Sequence, residues 1–222
     1  MLTAVIVKTV AYLPILIAII LHEVAHGYAA WKLGDNTAKY YGRLSLNPVK
    51  HIDIFGTLIL PALLIISRAG FVLGWAKPVP VNFNNLRNYK RDLVIVSAAG
   101  IIVNLILAAG SALLLKLAVY VPGAMLQGLV SLFLVNMVVY NVLLAVFNIL
   151  PLPPLDGSKI LFGWMDYPWA RKYVNADKAG LALIVFLVFI IPSVGAQFGY
   201  NWNWFGAYLI KTSKFLISAL LM

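Results

Sequence analysis

The sequence predicts an all-α polytopic membrane protein of about five transmembrane helices, with a re-entrant or β-hairpin-like segment between the first and second spans. Three observations predict it. Of 222 residues, 63% are hydrophobic and only 11% charged, and the mean hydropathy is +0.93. A soluble domain carries about 25% charge, so this chain lacks the polar residues to cover a globule. Long uncharged runs recur along it, and the basic residues fall in the short connections between them. These features exclude a soluble enzyme and a disordered chain. The net charge of +10 reads as membrane topology, with no nucleic-acid partner implied. The absence of cysteine excludes disulfides, thiolate metal sites and cysteine nucleophiles.

The elements follow in order. Residues 9–21 carry no charge and, with 2–7 before them, predict a first helix reaching about Trp31. Its apolar run outlasts the core of a signal peptide and lacks a small-residue cleavage site, so it is read as a retained helix. Residues 54–67 are uncharged but short and contain Pro61. Residues 93–115 form an uncharged run of 23, enough to cross about 30 Å of hydrocarbon. Nothing between Lys116 and Asp156 is charged, and Pro122-Gly123 divides that stretch, leaving a helix over about 124–150. Residues 179–210 are uncharged but interrupted by Pro192, Gly195, Gly199 and Asn201; a last helix occupies about 204–222. No repeat or linker divides the chain, which reads as one membrane domain over 1–222.

Charge placement orients the helices. Four basic residues lie in each of 32–50, 77–91 and 159–178, and none lies near Pro122 or in 197–203. The positive-inside rule puts the three basic loops in the cytoplasm. The piece between the first two loops then cannot cross once, which predicts an excursion entering near Gly56 and returning through Gly70, Gly74 and Trp75. The alternative is a short tilted span that inverts everything downstream. Backbone at membrane depth requires protein or a watery cavity beside it. The return segment is a candidate edge strand for an extended substrate.

Chemistry is concentrated in few residues. The chain has three histidines and one glutamate, and His22-Glu23-Val24-Ala25-His26 holds two of the histidines and the glutamate. Histidines at i and i+4 share a helix face, so their imidazoles can converge on one metal ion. Glu23 points about 100° round the helix, beside the metal, placed to take a proton from a water. Neutral imidazoles suit zinc, and an open fourth position makes such a site catalytic. Ionisable residues inside a membrane are costly and face a partner or cavity, which disfavours chance spacing.

Two histidines leave the zinc one protein ligand short. His51 lies in a basic, turn-rich loop and reads as an interfacial side chain. Asp156 is the better candidate: prolines in Leu150-Pro151-Leu152-Pro153-Pro154-Leu155-Asp156-Gly157 stiffen its loop, and Gly157 permits a sharp turn. The helix before it runs outside to inside like the first, so both motifs reach one depth. Asp156 is also a candidate N-cap for a helix starting at Gly157.

HExxH on a first membrane helix, followed far downstream by Phe147-Asn148-x-Leu150-Pro151-x-Pro153-Pro154-x-Asp156-Gly157, resembles the site-2 protease family of intramembrane zinc metalloproteases. Residues 74–82, Gly-Trp-Ala-Lys-Pro-Val-Pro-Val-Asn, resemble a loop of its short members. Ala99-Gly100-Ile101-Ile102-Val103-Asn104 resembles the start of its middle core helix, with Ile101 in place of the usual proline. The resemblance covers roughly residues 21–161, within a family-like core of about 1–161, with additional C-terminal helices in 179–222. No stretch is long enough for a PDZ-like or CBS-like domain. The resemblance implies His22, His26 and Asp156 as ligands of one zinc ion, Glu23 as general base, and Asn148 in oxyanion stabilisation or substrate positioning. Asn148 is equally a helix-end cap or an interhelical hydrogen bond, and Asn104 reads as a structural bridge between helices.

The implied substrates are transmembrane proteins or peptides in a lipid bilayer. The implied location is the cell membrane, multi-pass, with the active site towards the cytoplasm. A metal-binding transporter is an alternative, weakened by the lack of internal repeats. A catalytically silent zinc-binding membrane chaperone is another. The last helix reads as a short tilted span, with Lys211 and Lys214 reaching outward or into the interior, in preference to a helix lying flat on the surface.

Overall fold

The computed structural model describes residues 2–59, 62, 63, 66 and 76–222. Helix α1 (Leu2–Lys32) is the first apolar run, followed by a single turn, α2 (Thr37–Tyr40). Helix α3 (Tyr89–Leu117) starts four residues ahead of its uncharged run. The Asn88 side chain accepts from Arg91 N–H at 3.3 Å, and Asp92 accepts from Asn88 N–H at 2.9 Å. This reciprocal cap satisfies amides that a helix start leaves free, so the charged turn joins the helix. Gly123, at φ +83°, turns the chain at the predicted Pro122-Gly123 break into α4 (Ala124–Asn148). Then come α5 (Asp156–Phe162), α6 (Pro168–Val174), α7 (Asp177–Val185), α8 (Ile191–Gln197) and α9 (Trp204–Leu221). No strand occurs among the described residues.

Helices α1, α3 and α4 pack on one another, and α5 lies against α3. Small residues let them approach closely: Ala108 and Ala112 of α3 meet Val138, Val142 and Val146 of α4. Leu209, Leu216, Ile217 and Leu220 of α9 pack onto the same cluster.

Four helical stretches among the described residues are long and apolar enough to cross a membrane: Leu2–Lys32, Tyr89–Tyr120, Ala124–Asn148 and Asp177–Gln197. The expected fifth, α9, is not among them, because two lysines dilute its 18 residues. Those lysines do not reach inward. Lys211 and Lys214 are exposed, while Ser213 between them is the buried residue of that helix.

The expected excursion lies largely outside the described residues, Gly70, Gly74 and Trp75 included. Its entry, Ile54–Ile59, is a π-helical turn. Downstream, residues 76–82 belong to no helix but make a poor template for an added strand. Pro78 and Pro80 have no N–H, and the amides of 77, 79 and 82 already donate to His51 O, Glu23 and Asp35. The carbonyls of Lys77 and Pro78 accept from Arg43 at 2.8 and 3.2 Å.

Asp35, fully buried after α1, anchors this segment. It accepts from Asn82 N–H at 2.8 Å, Asn85 Nδ2 at 2.9 Å, Thr37 N–H at 3.1 Å and the Thr37 hydroxyl. Burial alone pushes its carboxyl up, but the hydrogen bonds from Thr37, Asn85 and Asn82 outweigh it and hold it below the usual range. A depressed folded-state pKa means the carboxylate stabilises the fold fully above the unfolded value of about 3.9. That contribution is lost as pH falls through the folded value. Asp35→Asn should therefore cost about 1–3 kcal/mol at pH 7. It should also flatten the acid limb of the melting-temperature profile in detergent. An unaltered profile would show that the knot is not ion-specific.

Candidate metal centre

His22 and His26 stand one turn apart on α1, and each is held through the nitrogen that faces away from its partner. His22 Nδ1 lies 2.6 Å from Asn104 Oδ1, an atom that only accepts, so Nδ1 carries the proton. The Asn104 amide is itself oriented, because its Nδ2 donates to Ala18 O at 3.3 Å and Asn141 Oδ1 at 2.7 Å. Asn141 in turn donates to Met137 O at 2.8 Å. Both asparagines are fully buried. His26 Nδ1 donates to Val96 O at 2.7 Å. Both rings therefore present unprotonated Nε2 atoms to the same point, the arrangement that second-shell partners impose on metal-binding histidines.

Asp156 completes that point. His22 Nε2 and His26 Nε2 are 3.0 Å apart, and Asp156 Oδ2 lies 3.2 Å from the first and 3.3 Å from the second. Ligands about 2.0–2.1 Å from a tetrahedral zinc stand roughly 3.3 Å from one another. Asp156 Oδ2 is buried without a hydrogen-bond partner. Two imidazole nitrogens and a carboxylate oxygen converging at these distances are the donor set that zinc takes. The residues fit a zinc ion, and they are the His/Asp cluster of metal-holding geometry among the described residues.

The expected local cause for Asp156 differs in detail. Helix α5 begins at Asp156 itself, with Leu155 as its cap residue, so the carboxylate does not cap a helix starting at Gly157. Gly157 is needed for space: a Cβ there would collide with the backbone carbonyls of Ile149 and Leu150. The proline loop is braced through its carbonyls. Ser158 Oγ donates to Leu155 O at 2.8 Å, Lys159 Nζ to Pro154 O at 3.0 Å, and Tyr173 Oη to Pro151 O at 2.6 Å. Gly180 of α7 lies directly on Pro153, whose carbonyl a side chain at 180 would strike.

Glu23 stands outside the ligand triangle, and its Oε2 accepts from Val79 N–H at 2.9 Å. His51 is not interfacial. It is buried, donates from Nε2 to Ser45 O at 2.8 Å, and lies apart from the cluster because its loop folds back under residue 77. Asn148 lines the site but donates to Leu144 O of its own helix at 3.0 Å, neither capping nor bridging helices. Asn104 bridges helices as expected and also anchors His22.

A cavity of about 550 Å³ opens over the triangle, between α1, α3, the end of α4 and residues 76–83. Val79, Phe83, Leu155 and Leu181 form much of its apolar wall, with Glu23, Ser97 and Asn148 among its polar groups. Sequence reasoning passed over Ser97 and Leu181, and named Gly100 only within the family-like motif, without its place beside the histidines. A Cβ on Gly100 would lie 2.5 Å from His26 Nε2 and 2.6 Å from His22 Cε1, so the bare glycine makes room for both rings. A signal for that helix face was present. Ser97, Asn104 and Ser111 are the polar side chains of the 93–115 run, spaced by seven, and all three are buried.

Comparison with known proteins bears on this site. Residues 116–193 match the model of peptidase family M50. YwhC of Bacillus subtilis is 40% identical over 186 residues, covering 82% of this chain and 80% of its own length. Rip2 of Mycolicibacterium smegmatis is 31% identical over 214 residues, covering 92% and 75%. Rip2 of Mycobacterium tuberculosis is 29% identical over 183 residues, covering 82% and 67%. All three are named zinc metalloproteases. No solved structure matches the chain. With a helix-borne histidine pair, a carboxylate brought to it from 130 residues away, and relatives matched over most of their length, the chain belongs to peptidase family M50, the site-2 proteases.

Proposed function

We propose that this membrane zinc metalloprotease hydrolyses peptide bonds within the transmembrane segments of other membrane proteins, with His22, His26 and Asp156 holding the zinc. The observation that carries the reading is the placement of this triangle between apolar helices, under a cavity that also receives the chain's one glutamate. Bound zinc lowers the pKa of a water and polarises a carbonyl, which a peptide bond shielded from bulk solvent requires. Glu23 takes the proton from the attacking water and delivers it to the leaving amine. Its hydrogen bond from Val79 fixes one carboxylate oxygen and leaves the other for the proton. Asn148 spends one amide N–H on Leu144, leaving a second N–H and its oxygen to position the substrate backbone.

In this reading the basic loops and the site face the cytoplasm of a cell-membrane protein. The excursion through residues 54–75 completes the domain, and the packing of α9 on the α3–α4 cluster supports a short fifth span there despite its two lysines. The test is to purify wild type and Glu23→Gln, measure zinc by metal analysis and present a model transmembrane peptide. Zinc in both proteins and cleavage by wild type alone is expected. Equal cleavage by the two would sink the assignment.

A further inference from the structure

Two polar side chains of the cavity wall have no part in this mechanism, and of these Lys159 is paired with Pro154 O while Ser97 is not. Ser97 is 1% exposed and lines the cavity together with His22, Glu23, His26 and Asp156, yet its hydroxyl has no hydrogen-bond partner. A serine within a helix can bond a carbonyl one turn back, and buried polar atoms are nearly always paired. The neighbours of Ser97 fix where it stands. Val96, just before it, gives its carbonyl to His26, and Gly100, one turn on, lies against both imidazoles. Ser97 thus occupies the turn of α3 that faces the ligand triangle, on the same side as Asn104. Asn148, the other neutral donor considered for the developing charge, has already committed an N–H to Leu144.

Resting on the proteolytic reading of this site, we propose that Ser97 is a catalytic residue whose Oγ–H donates a hydrogen bond to the scissile carbonyl oxygen as that oxygen becomes negative. Water oxygen bonds to the carbonyl carbon, and the π pair moves onto the carbonyl oxygen. Glu23 holds the water proton until the C–N bond breaks and the amine leaves with it. Ser97 keeps its own proton throughout. A donor already in place within a cavity of largely apolar wall stabilises the transition state without reorganising. Its lack of a partner in the resting protein gives a second signature. Removing this hydroxyl breaks no hydrogen bond and leaves no other group unpaired, so the fold should not suffer.

The experiment compares wild type, Ser97→Ala and Glu23→Gln, purified with zinc. The measurements are kcat and KM on a transmembrane peptide, zinc content, affinity for a phosphinate peptide, and the melting temperature of the metal-free proteins. The phosphinate's tetrahedral P–O⁻ mimics the charged oxygen. For Ser97→Ala, kcat should fall on the order of 100-fold with KM and zinc content unchanged. Phosphinate affinity should fall in parallel, and the metal-free protein should melt at or above the wild-type temperature. Unchanged kcat and phosphinate affinity would overturn the proposal, leaving Ser97 as a site for bound water. A lower melting temperature with proportional zinc loss would also overturn it, in favour of a structural role. Cleavage persisting in Glu23→Gln would instead defeat the proteolytic reading itself, so the two failures are distinct.

Discussion

Asp156→Ala is expected to lose most of its zinc and all measurable cleavage, while His51→Ala keeps both. Two imidazoles alone leave a catalytic zinc site incomplete, and the Asp156 oxygen is the atom that closes the triangle at 3.2 and 3.3 Å. The loss should not come from misfolding. The carboxylate oxygen meets only the two imidazoles of the site, so its removal breaks no hydrogen bond that holds the helices or the proline loop. The metal-free variant should therefore melt no lower than metal-free wild type. His51 is the informative control, as the third histidine of the chain and a buried one. Metal analysis after dialysis against a chelator decides the matter. Zinc lost from the His51 variant and kept by the Asp156 variant would move the third ligand elsewhere.

Asn104→Leu should weaken zinc binding about 10–100-fold, the usual effect of removing a partner that orients a metal-binding histidine. It should also destabilise the fold. His22 Nδ1, Ala18 O and Asn141 Oδ1 all lose a partner in a fully buried site. Each group left unpaired costs about 1–3 kcal/mol. Asn104→Asp separates the two effects, since it retains an acceptor for His22 but loses the donor to Ala18 and Asn141. It should hold zinc better than Asn104→Leu while still melting below wild type. If the two variants lose zinc equally, orientation of His22 is not what Asn104 supplies.

How much of this was legible in the sequence depended on the range of the interaction. His22 and His26 were readable because helical periodicity alone puts them on one face. The α3–α4 turn was readable because Pro122-Gly123 is a local signal. Asp156 required the family resemblance to be more than a rigid carboxylate at the right depth. The partners of those residues were not readable. That Asn104 would meet His22, and Val79 would meet Glu23, depends on how α3 and an extended loop dock against α1, and no local spacing encodes docking. His51 was misplaced for the same reason, since a turn-rich basic loop gives no sign that it folds back and buries its histidine. The inward alternative for Lys211 and Lys214 failed because α9 turns its apolar residues to the bundle and leaves both lysines outside.

The bracing of the proline loop bears on how this domain can be cut and recombined. Tyr173 and Gly180 lie beyond residue 161, yet one holds the Pro151 carbonyl and the other lies so close to Pro153 that any side chain there would strike its carbonyl. The proposed third ligand is thereby shaped from both sides in the chain, and the family match likewise runs on to residue 193. A hybrid made by joining residues 1–161 to the tail of a relative would inherit the proposed zinc ligands without the wall behind one of them. The smallest exchangeable unit is therefore the proline loop together with 173–181, transplanted as a matched pair.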